Sequence, residues 1–445
     1  MPGGGQSDSQ IYSDRRLAHA ALARGDQHHP CSGLRVGERD GPARRGGGVA
    51  CGGHAGRLRH RLRNPCAVTG RHYLDHASTS PIRSEVLAAM NQWWAAGHAD
   101  PSRMHAEALT ARYEIEQARQ QVADCFGAHS REVVFTSGAT ESIAAAVRGA
   151  SYRGAHQVLS AVEHSAVRLS VERLAAGDHR NTVVGVDSTG RVDPAEMAAA
   201  IESDTGAVHC QWANHEVGTV QLVSEVIAAC RERSPDVLIH VDAAAAAGHA
   251  HIDFAETGAD LMSISAHKFG GPPGIGALLV RRGLRLVPLL EGGDQERARR
   301  AGLENGAAIA GFGAACAAFE DGGLEQEADR ARVHTDTLRS RALGIEGIEP
   351  YGHPTQRLPH LVCLGIADVE PQAVLIALDR AGVAAHSGSS CASESLEPSP
   401  VLEAMGVDAH HSLRLSVGWS TTDEDVDAAA EGLRDALAEL RKLRS

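Results

Sequence analysis

Val133-Val134-Phe135-Thr136-Ser137-Gly138-Ala139-Thr140-Glu141-Ser142 reads as a strand that stops at a glycine turn and restarts as a helix. Its apolar and β-branched run shows no polar alternation, which predicts a strand covered on both faces. Downstream the same alternation continues: helix over 140–150, strand at 157–161, helix over 166–175, then strands near 183, at 208–212, 237–241 and 261–265, with helices between them. After a glycine-rich turn and Pro272-Pro273, residues 274–280 read as another strand. Strand and helix alternating at this spacing predict an α/β fold whose large domain holds a mostly parallel sheet with helices on both faces. In such a sheet ligands belong outside the carboxyl ends of the strands.

Upstream, Tyr73-Leu74-Asp75-His76-Ala77-Ser78-Thr79-Ser80-Pro81 reads as a short strand running into a turn. An amphipathic helix over 83–94, a polar loop at 98–105 and a long helix reaching 121–125 follow. At the other end, a long charged helix over 324–343 and strands at 361–364 and 412–417 predict a smaller α+β domain. The expected division is therefore a large domain at 83–324 and a small one formed by 72–82 with 325–445. Residues 1–71 carry twelve arginines against five acids, are rich in Gly and His, and hold neither periodicity. Such a segment buries too little apolar surface to offset its ordering entropy, and it is expected to be a disordered basic extension.

Composition narrows the function. The chain has 445 residues with a formal charge of -13, and no basic stripe interleaved with aromatics, which argues against a nucleic-acid surface. No apolar run approaches the roughly 18 residues of a membrane span. Nine cysteines are scattered without a C-x-x-C pair, and 25 histidines fall without ligand spacing. That pattern fits neither a disulfide framework nor a metal site, and it predicts a reducing, cytoplasmic setting.

Among 43 basic residues only Lys268 and Lys442 are lysines. A chain that writes its cations as arginine has no general use for lysine, and only lysine can lose its proton when desolvated and bond to an aldehyde. Lys268 follows the predicted strand 261–265, flanked by Ser265 and His267, both able to donate to an anion. Three further features fall at strand ends. The turn into Ala139-Thr140 offers free backbone N-H groups and the positive end of a helix dipole to a phosphate. Asp242 closes an apolar strand, where a carboxylate needs a cation or donor as partner. Val162-Glu163-His164-Ser165 places an imidazole just past another strand. A phosphate cradle, an aldehyde-capturing amine, a counter-ion for a pyridine nitrogen and a ring-stacking imidazole together meet the requirements of pyridoxal 5'-phosphate.

On these stretches, together with Asn214-His215-Glu216-Val217-Gly218, His240-Val241-Asp242-Ala243, Ser265-Ala266-His267-Lys268 and Gly388-Ser389-Ser390-Cys391-Ala392-Ser393-Glu394-Ser395, residues from 73 to about 440 resemble a cysteine desulfurase of the class V aminotransferase superfamily. The resemblance implies that Lys268 holds the cofactor and carries protons, with His164 stacked on its ring and assisting. Asp242 would keep the ring nitrogen protonated, and Ala139, Thr140, Ser265 and His267 would hold the phosphate end. Arg414, in Leu413-Arg414-Leu415-Ser416, would clamp the carboxylate of the substrate L-cysteine. Cys391 would attack the substrate sulfur, giving a persulfide and alanine. Cys391 also fits by its surroundings, since a cysteine among Gly388, Ser389, Ser390 and Ser393 reads as a loop thiol rather than a core one. A homodimer and a sulfur-acceptor protein are implied as partners. The acceptor's identity stays open among an iron-sulfur scaffold, a tRNA-thiolation protein and a natural-product pathway.

Four positions depart from the resembled pattern. His215 stands where a second Asn is usual, Ala245 where a Gln is usual, Leu303 where a partner subunit's Thr would meet the phosphate, and Asp100 where an Asn is usual. Ala245 and Leu303 cannot donate, and two hydrogen bonds lost at about 0.5 to 1.5 kcal/mol each predict cofactor binding weaker by about tenfold to a hundredfold. Asp100 is expected to bring a negative charge near the substrate carboxylate. These changes keep two other readings open: a lyase for a related selenium or sulfur compound, and a weakly active homologue that serves as a binding partner in sulfur transfer.

Overall fold

The computed structural model describes residues 70–97, 99–388 and 398–443. Most of the basic extension and the Cys391 stretch lie outside the described residues. Arg71, assigned to the extension by sequence, pairs with Asp379, and the first strand begins one residue later.

Among the described residues twelve strands occur in chain order: β1 His72–Tyr73, β2 Val133–Thr136, β3 His156–Ser160, β4 Arg180–Val184, β5 Thr205–Gln211, β6 Leu238–Asp242, β7 Leu261–Ser265, β8 Gly276–Val280, β9 Ile348–Tyr351, β10 Leu361–Ile366, β11 Val383–Ala384 and β12 Ser412–Ser416. Seven of them form one sheet in the order β2-β8-β7-β6-β5-β3-β4. The run from β7 to β4 is parallel, whereas β8 pairs antiparallel with both β7 and β2. Every residue of β2, β6, β7 and β8 is buried, as two-sided coverage by helices requires. The glycine-rich turn after Lys268 therefore returns the chain antiparallel, which a tight turn allows and a parallel crossover would not.

Helix packing fixes the edge of this sheet. The helix Ala106–Cys125 buries Ala108, Ala111, Ile115, Ala118 and Val122, a three-to-four spacing that marks one face. That face and the helix Ser84–Ala96 pack on the small-residue helix Gly306–Ala317. Gly306 is required there, because any side chain would collide with the Trp93 ring.

A second layer is built by residues distant in sequence. β9, β10 and β12 form an antiparallel sheet, and β1 pairs with β11. The helices Gly323–Leu343 and Asp423–Lys442 cover it through Leu338, Ala342, Val426, Leu433 and Leu437. A capping box between Thr422 and Asp425 starts the last helix, where three acids meet the positive end of its dipole. An isolated bridge between Asp75 and Ser416 carries the segment after β1 alongside β12. Among the described residues no helix is long and apolar enough to cross a membrane.

Candidate active site

The carboxyl ends of β3, β5, β6 and β7 open onto a cavity of about 480 Å3. All eight described residues to which the sequence reading gives a catalytic, cofactor or substrate role line it: Ala139, Thr140, His164, Asp242, Ser265, His267, Lys268 and Arg414. Cys391 lies outside the described residues. Gly388, three residues before it in sequence, lies beside Arg414, and His386 lines the cavity.

At one end, β2 stops at Gly138, whose φ of 149° favours glycine, and the helix Ala139–Ala150 starts there without a side-chain cap. Its first N-H groups have no intrahelical partner and border the cavity, so this turn is suited to an anion. Glu141 does not spoil it: Arg300 pairs with its carboxylate at 3.0 Å, and the Ser137 N-H donates to it.

Lys268 sits on a single 3-10 turn, Ala266–Phe269, directly after β7. Phe269 anchors that turn among Phe126, Phe312 and Phe319. The lysine Nζ donates to the carbonyls of Ala77 at 2.7 Å and Ser78 at 3.1 Å. Thr79 hydrogen-bonds His267, and the Ser80 N-H donates to the His267 carbonyl. The segment after β1 is thereby stitched onto the lysine turn. Burial, and then the Arg414 charge, depress the Lys268 pKa to about 8, with Asp242 and Asp75 opposing. The amine is therefore partly neutral near physiological pH, as a carbonyl-binding lysine requires.

Asp242 is buried at the end of β6, and its Oδ1 accepts the Ala244 N-H at 3.0 Å. Burial raises its pKa, offset in part by that hydrogen bond and by His215 and Lys268. A carboxylate so placed gains from a cationic partner in the cavity. His164 caps the helix Ser165–Ala175 by accepting the Ala166 N-H at Nδ1, which leaves its proton on Nε2. Burial foremost, with the neighbouring His215, Lys268 and Arg168, lowers it to about 3, so the ring is neutral. It meets His215 edge to face at 4.9 Å.

Arg414 comes from β12 and is 2% exposed. Its Nη1 donates to the His215 carbonyl and its Nη2 to Ser78 Oγ and Asp75 Oδ1, while Nε is buried without a partner. The guanidinium is at the cavity, as the sequence reading has it, but its fork is already engaged by the chain.

The departures from the family pattern separate by position. His215 and Ala245 line the cavity. Asp100 and Leu303 do not. The Asp100 carboxylate closes its own turn by accepting the Ser102 N-H and pairing with Arg103 at 3.2 Å, and Leu303 is 62% exposed. Within this chain Asp100 is not brought to the cavity, because its turn satisfies the carboxylate locally.

Sequence reasoning missed Gln211. It ends β5 in register with Asp242, lines the cavity, and has its buried Nε2 unpartnered. A polar residue at the last position of an apolar strand is the same signal that marked Asp242. The unsatisfied Gln211 amide, an uncapped helix start and a buried carboxylate lacking a cation together suit a ligand with an anionic end, a cationic ring nitrogen and a polar ring substituent. Pyridoxal phosphate has each of these, so the residues present fit it.

Residues 72–429 match the aminotransferase class-V family model. The chain is 38% identical over 378 residues to "Cysteine desulfurase IscS" of Methanosarcina thermophila, covering 83% of this chain and 93% of that one. It is also 38% identical to "Cysteine desulfurase" of Mus musculus, covering 83% and 82%. Among solved structures, a "NIFS-LIKE PROTEIN" superposes with a TM-score of 0.78 at 29% identity over 83% of this chain and all of that one. A structure titled "SspA in complex with cysteine" superposes with a TM-score of 0.70 at 29% identity, covering 79% of this chain.

Proposed function

The chain belongs, within the aminotransferase class-V family, to the cysteine desulfurases, and from that premise we propose how its own residues convert L-cysteine to L-alanine with the sulfur held on Cys391. The observation that carries the assignment of roles is the convergence of Lys268, Asp242, His164 and Arg414 on one cavity beside the chain that leads to Cys391.

Bound pyridoxal phosphate would supply an electron sink that acidifies the substrate Cα-H. Ala139, Thr140, Ser265 and His267 would hold its phosphate, and Asp242 would keep the proton on its ring nitrogen. Arg414 receives the substrate carboxylate, for which Asp75 and Ser78 stand in within this structure. Lys268, with its depressed pKa, is the base that removes the Cα proton and returns a proton to the substrate carbon skeleton. His164, kept neutral by burial, would pack on the ring and assist the proton transfer. The Cys391 thiolate forms an S-S bond to the substrate sulfur as the C-S bond breaks. Cysteine and one thiol give alanine and one persulfide, which balances without an external oxidant. In C391S, alanine release from cysteine is expected to vanish while the visible absorbance of the bound cofactor stays; continued turnover would refute the role of Cys391.

Three wider readings accompany this one. Residues 83–324 form the cofactor-holding domain, with 72–82 and 325–445 as the smaller partner domain. The enzyme acts as a homodimer, which the exposed apolar side chains Trp94, Met104, Leu109 and Tyr113 support. It serves a cytoplasmic sulfur-acceptor protein. Light scattering of the full chain tests the dimer.

A further inference from the structure

A second and much smaller cavity, of about 10 Å3, shares Ala77, His215, Ala245 and Lys268 with the wall of the main one. It is lined by Lys268, His215, His249, His360, Ala245 and the apolar Ala77 and Leu361. Two of these residues carry buried nitrogens with no partner, His215 Nδ1 and His360 Nδ1. Unpaired buried polar atoms cost about 1–3 kcal/mol each, and two on one cavity wall call for a shared occupant.

The protonation states narrow that occupant. His215 Nε2 lies 3.5 Å from Glu216 Oε1, a contact that favours the proton on Nε2 and a lone pair on Nδ1. His360 is fully buried and stacked on His249 at 3.5 Å between centroids, and burial holds it neutral. His249 Nε2 in turn donates to the Lys268 carbonyl, fixing the stacked pair to the lysine turn. Lys268 Nζ carries three protons when charged and places two on the Ala77 and Ser78 carbonyls. The wall thus offers the lone pair of His215 Nδ1, the remaining Lys268 N-H and His360 Nδ1, which donates or accepts according to its tautomer. One molecule that both donates and accepts satisfies all three, and the volume is at the lower limit for a single water, about 10–15 Å3.

We propose that this cavity is a binding site for one structural water, which accepts from Lys268, donates to His215 and hydrogen-bonds His360, and that Ala245 makes room for it. A longer side chain at 245 would occupy the space. The water gives the lysine amine a fixed third partner whenever it carries its full complement of protons. It is thus a positioning element for the base of the reaction, and only that consequence rests on the function proposed for Lys268. The groups that face Lys268 from the surrounding elements are Arg414 on β12, Asp75 after β1, Asp242 on β6, His164 after β3, and the histidines 215, 249, 267 and 360; any titration of Lys268 reports their sum as well.

The test uses the full chain without cofactor and needs no turnover. Because the chain has only two lysines, 13C-lysine labelling gives two titrating signals, and K268M assigns them. A high-resolution crystal structure is expected to show one solvent peak within hydrogen-bonding distance of His215 Nδ1 and His360 Nδ1. A245V fills the space with methyl groups, and its Lys268 signal is expected to titrate about one to two pH units lower than in the parent, the loss of one charge-assisted hydrogen bond. H360F, which removes one of the water's hydrogen-bonding partners, is expected to shift it in the same direction. An empty cavity in the parent crystal overturns the proposal, as does a Lys268 titration unmoved in both variants. Loss of desulfurase activity alone bears on the catalytic assignment and not on this site.

Discussion

Arg414 Nη2 lies 3.1 Å from Asp75 Oδ1, joining residues 339 positions apart at the rim of the candidate active site. The bridge between Asp75 and Ser416 sets that distance by holding the segment after β1 against β12. A carboxylate of the chain therefore occupies the guanidinium proposed to receive the substrate carboxylate, and exchange of one for the other would leave the buried charge paired throughout.

R414K keeps a positive charge but loses the planar fork that serves the His215 carbonyl, Ser78 and Asp75 together. Losing one charge-assisted hydrogen bond to the substrate, about 1.5–3 kcal/mol, predicts a fall in kcat/KM for L-cysteine of about tenfold to a hundredfold, carried by KM. Steady-state alanine formation measures it. A fall confined to kcat would place the carboxylate elsewhere.

Lys268 gives a pH signature of stability in the cofactor-free chain. Burial lowers its folded pKa from 10.5 to about 8, so between those values the unfolded chain binds the proton and the folded one does not. Folding stability contributed by this group therefore rises with pH across that window, at up to about 1.4 kcal/mol per unit. K268M lacks this slope. Urea titrations at pH 7 and pH 10 are expected to show the parent gaining on the variant; parallel curves would contradict the depressed pKa.

Glu163 gives the opposite sign. It is fully buried, its Oε1 accepts the Gln211 N-H at 2.7 Å, and its Oε2 has no partner. Burial, then the Asp242 charge, raises its pKa to about 8. Between pH 4.5 and 8 the folded state keeps a proton that the unfolded state releases, so stability falls as pH rises. E163Q cannot titrate, and its stability relative to the parent is expected to climb from pH 5 to pH 8. A difference independent of pH would mean that Glu163 is ionised in the folded chain.

Ala245 leaves the wall of the main cavity without a donor where relatives in the family carry one by the sequence pattern. A245Q restores one hydrogen-bonding group, worth about 0.5–1.5 kcal/mol, and is expected to tighten pyridoxal phosphate binding by about two- to tenfold. Cofactor titration followed by absorbance measures the change. Weaker binding would show that the pocket has adjusted around the alanine.

Much of the frame was legible because strands buried on both faces are written as unbroken apolar runs. β2 and β7 fall where 133–136 and 261–265 predict them, and the glycine turn after β2 sits at Gly138. Site residues at strand ends were legible for the same reason: Asp242 and Lys268 each follow an apolar run directly. Gln211 obeys that rule too and was passed over. Asp75 and Ser78 as partners of Arg414 had no local signal, since they meet it only through pairing across more than three hundred residues. Asp100 had a misleading one, because a charge in a loop does not reveal that Ser102 and Arg103 satisfy it in place.

The sequence by itself determined the chemistry on offer: a strand-end lysine in a chain that writes nearly all its cations as arginine, a glycine turn opening a helix, a strand-end carboxylate and a cysteine among serines and glycines, each a local arrangement of residue types. Only the tertiary structure decided the state of those groups. Whether Lys268 is neutral near pH 8, whether Arg414 is already paired, and which nitrogens of Gln211, His215 and His360 are left without partners depend on burial and on neighbours from distant segments. Desolvation and hydrogen-bond satisfaction are properties of the packed surroundings, and no stretch of sequence contains them.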